Sequence, residues 1–330
     1  MEKNIYIKNI KKNIRIDKFL YNLFKKKISR QNIQKNIYKG KILLNNKKIK
    51  KNKKLKNNDK IYFFHKKNNK KNINYIYSNN KLDVKIHYED NNIIIINKNP
   101  GLIVHPGHGN YKNTLINWLK FYINNKSNFN NFNYLYYRYG LLHRLDKNTS
   151  GLLMIAKNIK TYNYIKNQFL NKTIKKKYLA LIWGTPKKEK DIIKNYIGRN
   201  KKNRIKMMVI NNNKYGKYSI TKYKILKNYK ILSLIKCNLK TGRTHQIRVH
   251  LKYIGHPIFN DDLYGGNKIP NKYFYRYRTN IKYIYKILPR HALHAYYLRY
   301  KDPITKKYKT FISKLPKDMY YTIKYLKKLF

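Results

Sequence analysis

The sequence predicts an α+β protein in two parts, and three observations carry that reading. The chain has 330 residues, a length that suits one large domain plus a small one. Residues 13–64 carry apolar positions at helical spacing followed by short strand-like runs, whereas residues 84–330 carry many short apolar runs broken by turns, with few helical stretches. Between them, residues 65–83 are polar and rich in Lys and Asn, which suits a linker. Nothing repeats at a fixed period, so a solenoid is not expected.

In the first unit, RIDKFLYNLFKKK opens at a cap region around Asp17 and sets Ile16, Phe19, Leu20 and Leu23 at helical spacing. Ser29 is a natural N-cap for a second helix, in which Ile33 and Ile37 lie four apart and Gly40 supplies the stop. KILLNNKKI reads as two short strands around Asn45-Asn46, and LKNNDKIYFF as a closing strand. Lys25, Lys26, Lys27, Arg30, Lys35, Lys39 and Lys41 crowd this unit. Such a surface suits an RNA backbone, and a solvated face is the plainer alternative.

In the second domain, YEDNNIIIINKNPG is a turn, a buried strand over residues 93–96 and a further turn. TLINWLKFYI is an amphipathic helix, and residues 124–133 form a low-complexity loop. YGLLHRLDKNTSGLLMIAKN is a strand, a polar excursion and a second strand. IKTYNYIKNQFLNKT is a helix with Tyr164, Ile165 and Phe169 on one face. KKYLALIWG is a strand, YSITKYKILKNYKILSLIKCNL gives two more, and TGRTHQIRVHLKYIG is a loop running into a helix. HALHAYYLRYKDP is a strand and turn, and TIKYLKKLF a basic C-terminal helix.

Lys plus Arg is 78 against 13 for Asp plus Glu, a formal balance of +65. A field of that sign attracts polyanions, RNA or DNA being the obvious partner, although the dominance of Lys, Asn, Ile and Tyr is also what A/T-biased coding yields. So few acids leave little room for chemistry that needs several carboxylates. A single cysteine, Cys237, excludes an internal disulfide framework and a cysteine-rich zinc site. There is no GxGxxG after a strand and no GxxxxGK[ST], so nothing points to a nucleotide cofactor. The first residues lack the apolar run of a signal peptide, and no stretch approaches the roughly 20 apolar residues of a membrane span. The expectation is a soluble, cytoplasmic protein, with a monomer as the default state.

Two polar clusters are candidates for chemistry. In the first, His143, Arg144, Asp146 and Lys147 interrupt two apolar runs. The cations beside Asp146 stabilise its charged form, which suits a nucleophile, base or electrostatic group better than a general acid. A structural turn, with Asp146 capping amides and pairing with Arg144, is the alternative. In the second cluster, residues 240–250, Gly242 permits a tight turn and Thr244 would cap a helix carrying Ile247, Leu251 and Ile254. Arg243 would sit at that junction, ready to meet a carboxylate or phosphate, and Arg248 and His250 would contact RNA or an internal partner. His245 and His250 are five apart, and Asp261 and Asp262 are adjacent, so neither pair suggests a metal site. Tyr178, at a strand start, offers a ring that stacks on a base or packs in a sheet. These residues alone leave open an RNA-modifying enzyme, a non-catalytic RNA-binding assembly factor and a metal-dependent nuclease.

GLLHRLDKNTSGLLMIAK closely resembles the signature of the RluA-type family of RNA pseudouridine synthases. IIIINKNPGLIVHPGHGN, KKYLALIWG, RIKMMV with GKYSITKYKIL, TGRTHQIRVHLKYIGHPIFNDDLYGG and RHALHAYYL fit the same family in the same order, over about residues 84–312. The first unit resembles the S4 RNA-binding domain through Arg15, Asp17, Leu20, Ser29, Arg30, Ile33, KNIYKGKILLNNKKI and LKNNDKIYF. The resemblance implies an S4-like domain at 13–64, a linker at 65–83 and a catalytic domain at 84–330 with a mixed, largely antiparallel sheet and flanking helices. It implies isomerisation of uridine to pseudouridine in structured RNA without metal or cofactor. Asp146 falls on the family's catalytic carboxylate, Tyr178 on the tyrosine that stacks under the base and assists proton transfer, and Arg243 on the arginine that orients the aspartate. Arg144 falls on the arginine that holds the flipped-out RNA, while Arg30, Lys35, Lys39 and Arg248 are expected to bind RNA. GLIVHPGHGNYKNTLINWL resembles members acting on a large-subunit ribosomal RNA hairpin at the intersubunit bridge near the decoding centre, with another ribosomal RNA uridine or a tRNA uridine as the alternative target, so that large-subunit RNA, or a ribosomal particle, is the expected partner. His108 and RYKDP depart from the usual pattern there.

Overall fold

A computed structural model describes residues 3–7, 14–24, 29–63, 79, 81–107, 109–125, 138–200, 202–211, 213 and 215–330. The chain divides into two compact units, Met1–Tyr75 and Ile76–Phe330. Lys25, Lys26, Lys27, His108, most of the expected linker and most of the loop at 124–133 lie outside the described residues.

The first unit contains β1 (Lys3–Tyr6), α1 (Ile16–Leu23), α2 (Arg30–Tyr38), β2 (Ile42–Leu44) and β3 (Lys60–Phe63). Its antiparallel sheet runs β1-β3-β2. Ile16 and Leu20 of α1 and Ile33 and Ile37 of α2, each pair four apart, meet Ile42, Leu44 and Ile61 of the sheet in one core. Ser29 caps α2, its Oγ accepting from the Asn32 amide at 3.3 Å. Gly40 takes φ +65° just past that helix, as a helix stop requires.

Three details differ from expectation. Asp17 is no cap: Arg15 occupies that position, and the buried Asp17 carboxylate accepts from Arg15, Arg30 and Gln34. KILLNNKKI makes one strand and a single bridge from Leu44 to Lys47. Asn45 and Asn46 both take left-handed φ, and the Asn45 side chain accepts from Lys60 N at 2.7 Å and donates to Asp59 at 2.8 Å. The turn is thereby pinned to β3, and β3 takes the pairing that a second hairpin strand would have had. Finally β1, outside the expected 13–64, pairs with β3.

The second unit is α+β, as expected. In chain order it contains β4 (Lys85–Glu89), β5 (Ile93–Lys98), α3 (Leu115–Asn124), β6 (Ser150–Ala156), α4 (Ile159–Leu170), β7 (Lys175–Trp183), β8 (Lys190–Arg199), β9 (Met207–Ile210), β10 (Lys217–Tyr229) and β11 (Leu232–Leu239). Then come α5 (Gln246–Tyr253), α6 (Asn271–Ile287), β12 (Leu293–Lys301), β13 (Tyr308–Ile312) and α7 (Lys317–Leu329). The sheet runs β4-β5-β6-β12-β7-β11-β10-β8-β9, with β13 beside β12. Every described pairing of these strands is antiparallel except β6 with β12.

The run at 93–96 has no polar alternation because both its faces are covered. Ile94 and Ile96 join Leu115 and Leu119 of α3 in the main core. Ile93 and Ile95 join Ile165 of α4, Leu298 and Tyr300 in a second core on the opposite face. β6 divides the same way, with Leu153 and Ile155 in one core and Leu152 and Met154 in the other. This doubly covered centre is the rigid base from which the loop carrying Asp146 projects. α6 was not anticipated: Ile281 and Ile284 are its buried residues, too few to give a readable stripe among its tyrosines and cations. Among the described residues, no helix is long and apolar enough to cross a membrane.

Candidate active site

Asp146 lies on the loop that enters β6, and that loop is tied down from several sides. Thr149 N donates to Asp146 O at 3.1 Å, closing the turn. The buried Lys98 ammonium donates to the carbonyls of Asn99, Leu102 and Lys147, each at 2.9 Å, which uses all three of its protons. Burial, with the charge of Arg290 adding and that of Asp146 opposing, pushes Lys98 down to about 7. From β12's side, His291 Nε2 meets Thr149 Oγ1 at 2.9 Å, and Arg290 donates to Asn148 O at 2.9 Å while its fork grips Asp318. Leu145 is buried in the main core. The neighbours of Asp146 are thus fixed, and its own side chain is 20% exposed.

The partner of that carboxylate is Arg248 on α5. Arg248 Nη1 lies 3.1 Å from Asp146 Oδ2, while Nε and Nη2 donate to both oxygens of the buried Asp261 at 2.7 and 2.8 Å. The guanidinium also lies over the Tyr264 ring, 5.0 Å from its centroid. A rigid fork clamped on one side positions the free carboxylate on the other better than a flexible ammonium does. His245 Nε2 faces Asp146 Oδ1 at 3.8 Å, and its Nδ1 meets Tyr264 Oη at 2.8 Å. Tyr264 Oη also accepts from Met207 N at 2.9 Å.

Two sequence-based expectations are corrected here. Arg243 does not pair with Asp146; it is exposed, and its Nε donates to Tyr218 O at 3.3 Å. Arg248, expected on RNA, is 3% exposed and engaged by carboxylates. The cause is the start of α5. Its N-cap is His245, in a left-handed conformation without a side-chain cap bond, rather than Thr244. Gln246 holds the turn instead: its Oε1 accepts from Arg243 N and Thr241 Oγ1, and its Nε2 donates to Ile220 O and Thr221 Oγ1. That geometry turns Arg248 inward and leaves Arg243 on the rim. His250 takes the internal option, its Nδ1 meeting Thr221 Oγ1 at 2.9 Å.

Asp146, Tyr178, Arg144 and Arg243 line two adjoining cavities, one of about 450 Å³ and a smaller one of about 60 Å³ that reaches Arg248 and Leu293. Tyr178, on β7, is 7% exposed. Among the described residues its hydroxyl takes no hydrogen bond, and burial, reinforced by the charge of Asp146, raises it well above the ordinary phenol range. His143 points away from chemistry: it accepts from Met154 N at 3.0 Å, and burial beside Lys176 pushes it down to about 3. In the first unit, Lys35 and Lys39 are exposed, while the Arg30 guanidinium is held by Asp17 at 3.0 Å. Sequence reasoning missed Tyr264 and Lys98, and it weighed Asp261 only against a metal site, not as the counter-charge of Arg248. The scarcity of acids was the one available signal, since a buried arginine needs a counter-charge and few residues can provide it.

The chain is similar to known RNA pseudouridine synthases. A family described as RNA pseudouridylate synthase matches residues 92–253. The uncharacterized RNA pseudouridine synthase YlyB of Bacillus subtilis is 34% identical over 317 residues, covering 96% of this chain and 95% of the relative. Ribosomal large subunit pseudouridine synthase D of Buchnera aphidicola subsp. Schizaphis graminum is 42% identical over 241 residues, 73% of this chain and 72% of the relative. Among solved structures, human RNA pseudouridylate synthase domain containing 4 aligns with a TM-score of 0.55 at 22% identity, over 74% of this chain and 93% of that one, a likeness of fold.

Proposed function

Because the chain belongs to the RluA-type family of RNA pseudouridine synthases, we propose that it isomerises uridine to pseudouridine in large-subunit ribosomal RNA, with Asp146 as the catalytic carboxylate and the intersubunit-bridge hairpin as target. The Buchnera relative, a ribosomal large subunit pseudouridine synthase, supports the choice of RNA. The stretch GLIVHPGHGNYKNTLINWL supports the choice of hairpin.

The reaction breaks the N1–C1′ bond, forms a C5–C1′ bond, and moves the C5 proton to N1. Atoms and electrons balance within the uridine, so its stoichiometry asks for no cofactor. Arg248 holds Asp146 Oδ2 and His245 faces Oδ1 at 3.8 Å, so the carboxylate is aimed within the smaller pocket, where it acts on the ribose C1′. The detached uracil has to turn without escaping, which favours a walled recess with an aromatic platform, and Tyr178 provides the ring. Its raised hydroxyl keeps it a phenol at neutral pH, so it serves as a stacking face and hydrogen-bond donor rather than as a phenolate base. Arg144, exposed at the rim, holds the opened RNA. The residues at 13–64 act as an S4-like RNA-binding module, with Lys35 and Lys39 on phosphates and Arg30 reinforcing that face through Asp17, while 84–330 carries out the chemistry.

The observation that carries this reading is the Asp146 carboxylate held at 3.1 Å by a buried arginine, in the cleft that Tyr178 lines. The test is to map pseudouridines in large-subunit RNA incubated with the protein. Asp146→Asn should abolish product while keeping RNA affinity within about threefold, because the loss falls on the reacting group rather than on phosphate contacts. Normal turnover by that variant would reject the assignment.

A further inference from the structure

Lys176 lies on β7 two residues before Tyr178, so both side chains leave the same face of the strand, and both line the main cavity. Among the described residues its ammonium has no carboxylate and no hydrogen-bond acceptor; it lies over the Phe169 ring, 5.2 Å from the centroid, with His143 nearby. Burial has pushed it down to about 8. Asp146 does not serve as its counter-ion, since Asp146 is committed to Arg248 and His245. Lys176 is half-buried, and a partly desolvated cation without a partner gains when an anion joins it. Room for one has been kept: a Cβ on Gly242 would stand 3.2 Å from Lys176 Nζ. The remaining charges of the main cavity, Arg144, Lys172, Lys240 and Arg243, are cations, with Asp146 the only carboxylate among its lining residues.

We propose that Lys176 is the receptor for a backbone phosphate flanking the extruded uridine, and that its ion pair is completed by the RNA. This rests on the reading of the cleft as a pseudouridine synthase site. The phosphate would lock the nucleotide's backbone while the base lies on Tyr178, which makes Lys176 a positioning residue.

The test uses the full-length protein and a synthetic hairpin taken from the RNA segment in which the wild-type protein forms pseudouridine. If the wild-type protein forms none in large-subunit RNA, the functional reading fails, independently of Lys176. Given activity, binding is measured across a salt series in the Asp146→Asn background, with and without Lys176→Met. The methionine keeps an apolar stem against Phe169. The expected result is roughly tenfold weaker binding at physiological salt and a slope of log affinity against log salt shallower by about one. Lys176→Arg should restore most of both. In a second arm, single neutral methylphosphonates replace the phosphates on either side of the target. One of them should weaken binding to the wild-type ammonium and have no further effect on Lys176→Met. Equal salt slopes, or equal losses from every neutral linkage in both proteins, would overturn the proposal. So would a fall in kcat with unchanged binding, which would put the ammonium on the departing base. If Lys176→Met does not fold, the neutral-linkage scan on the Lys176-containing protein still decides: indifference to both flanking phosphates rejects the receptor.

Discussion

Arg248 serves two carboxylates at once, and removing either side of that arrangement should have a different signature. Asp261 is buried and holds two of the guanidinium's donors. Asp261→Asn leaves a buried cation short of charge, and we expect a loss of about 3 kcal/mol in urea unfolding, with product formation reduced as the fork loses its aim. Arg248→Lys supplies one point charge where a fork bridges two acids, so single-turnover rates should fall by about 100-fold or more while RNA affinity holds. For Tyr178 the platform and the hydroxyl separate cleanly. Tyr178→Phe should keep RNA affinity within about threefold, whereas Tyr178→Ala should weaken it by roughly tenfold, the worth of one stacked base. Asp146 was legible in the sequence because it stands in a polar island between two apolar runs, and Tyr178 because a strand pattern begins beside it. The choice between Arg243 and Arg248 was not. It turns on a left-handed φ of 53° at His245, and spacing along the chain carries no trace of that angle.

At the scale of elements, the loop holding Asp146 depends on how closely β6 and β12 approach. Gly151 has φ +115°, and a Cβ there would lie 2.2 Å from Ala295 O on the paired strand. Gly151→Ala should therefore cost about 3 kcal/mol or more in chemical denaturation, or prevent soluble folding. Gly101, on the turn that supports the same loop, has φ +86° with open space around it. Gly101→Ala should cost only about 1 kcal/mol, the penalty of the backbone conformation alone. Strands and helices with dense apolar patterns, such as β5, β6 and α4, were readable from periodicity. β1, with a partner some 60 residues away, and α6, with its sparse buried positions, were not, because non-local pairing and solvent-facing tyrosines give no periodic signal.

For the whole molecule, the acid limb of stability is set by neutral histidines. Burial pushes His105, His250 and His294 from 6.5 down to about 4 and His143 to about 3, and it lowers His291 well below its usual value. The unfolded chain takes up protons at these rings near pH 6.5 and the folded chain does not, so their stability contribution is intact above that pH and is lost as pH falls towards 4. A thermal midpoint that declines steadily from about pH 6.5 to pH 4 is expected, and a flat profile would contradict it. The sheet also has an order of assembly written into it. β12 sits between β6 and β7, two strands that precede it by more than a hundred residues, and Leu293 at its start lines the smaller pocket beside Asp146. A growing polypeptide stopped before residue 293 therefore has both outer strands and nothing to join them. It follows that a polypeptide cut short before residue 293 would keep the aspartate and still lack one wall of the pocket in which it has to act.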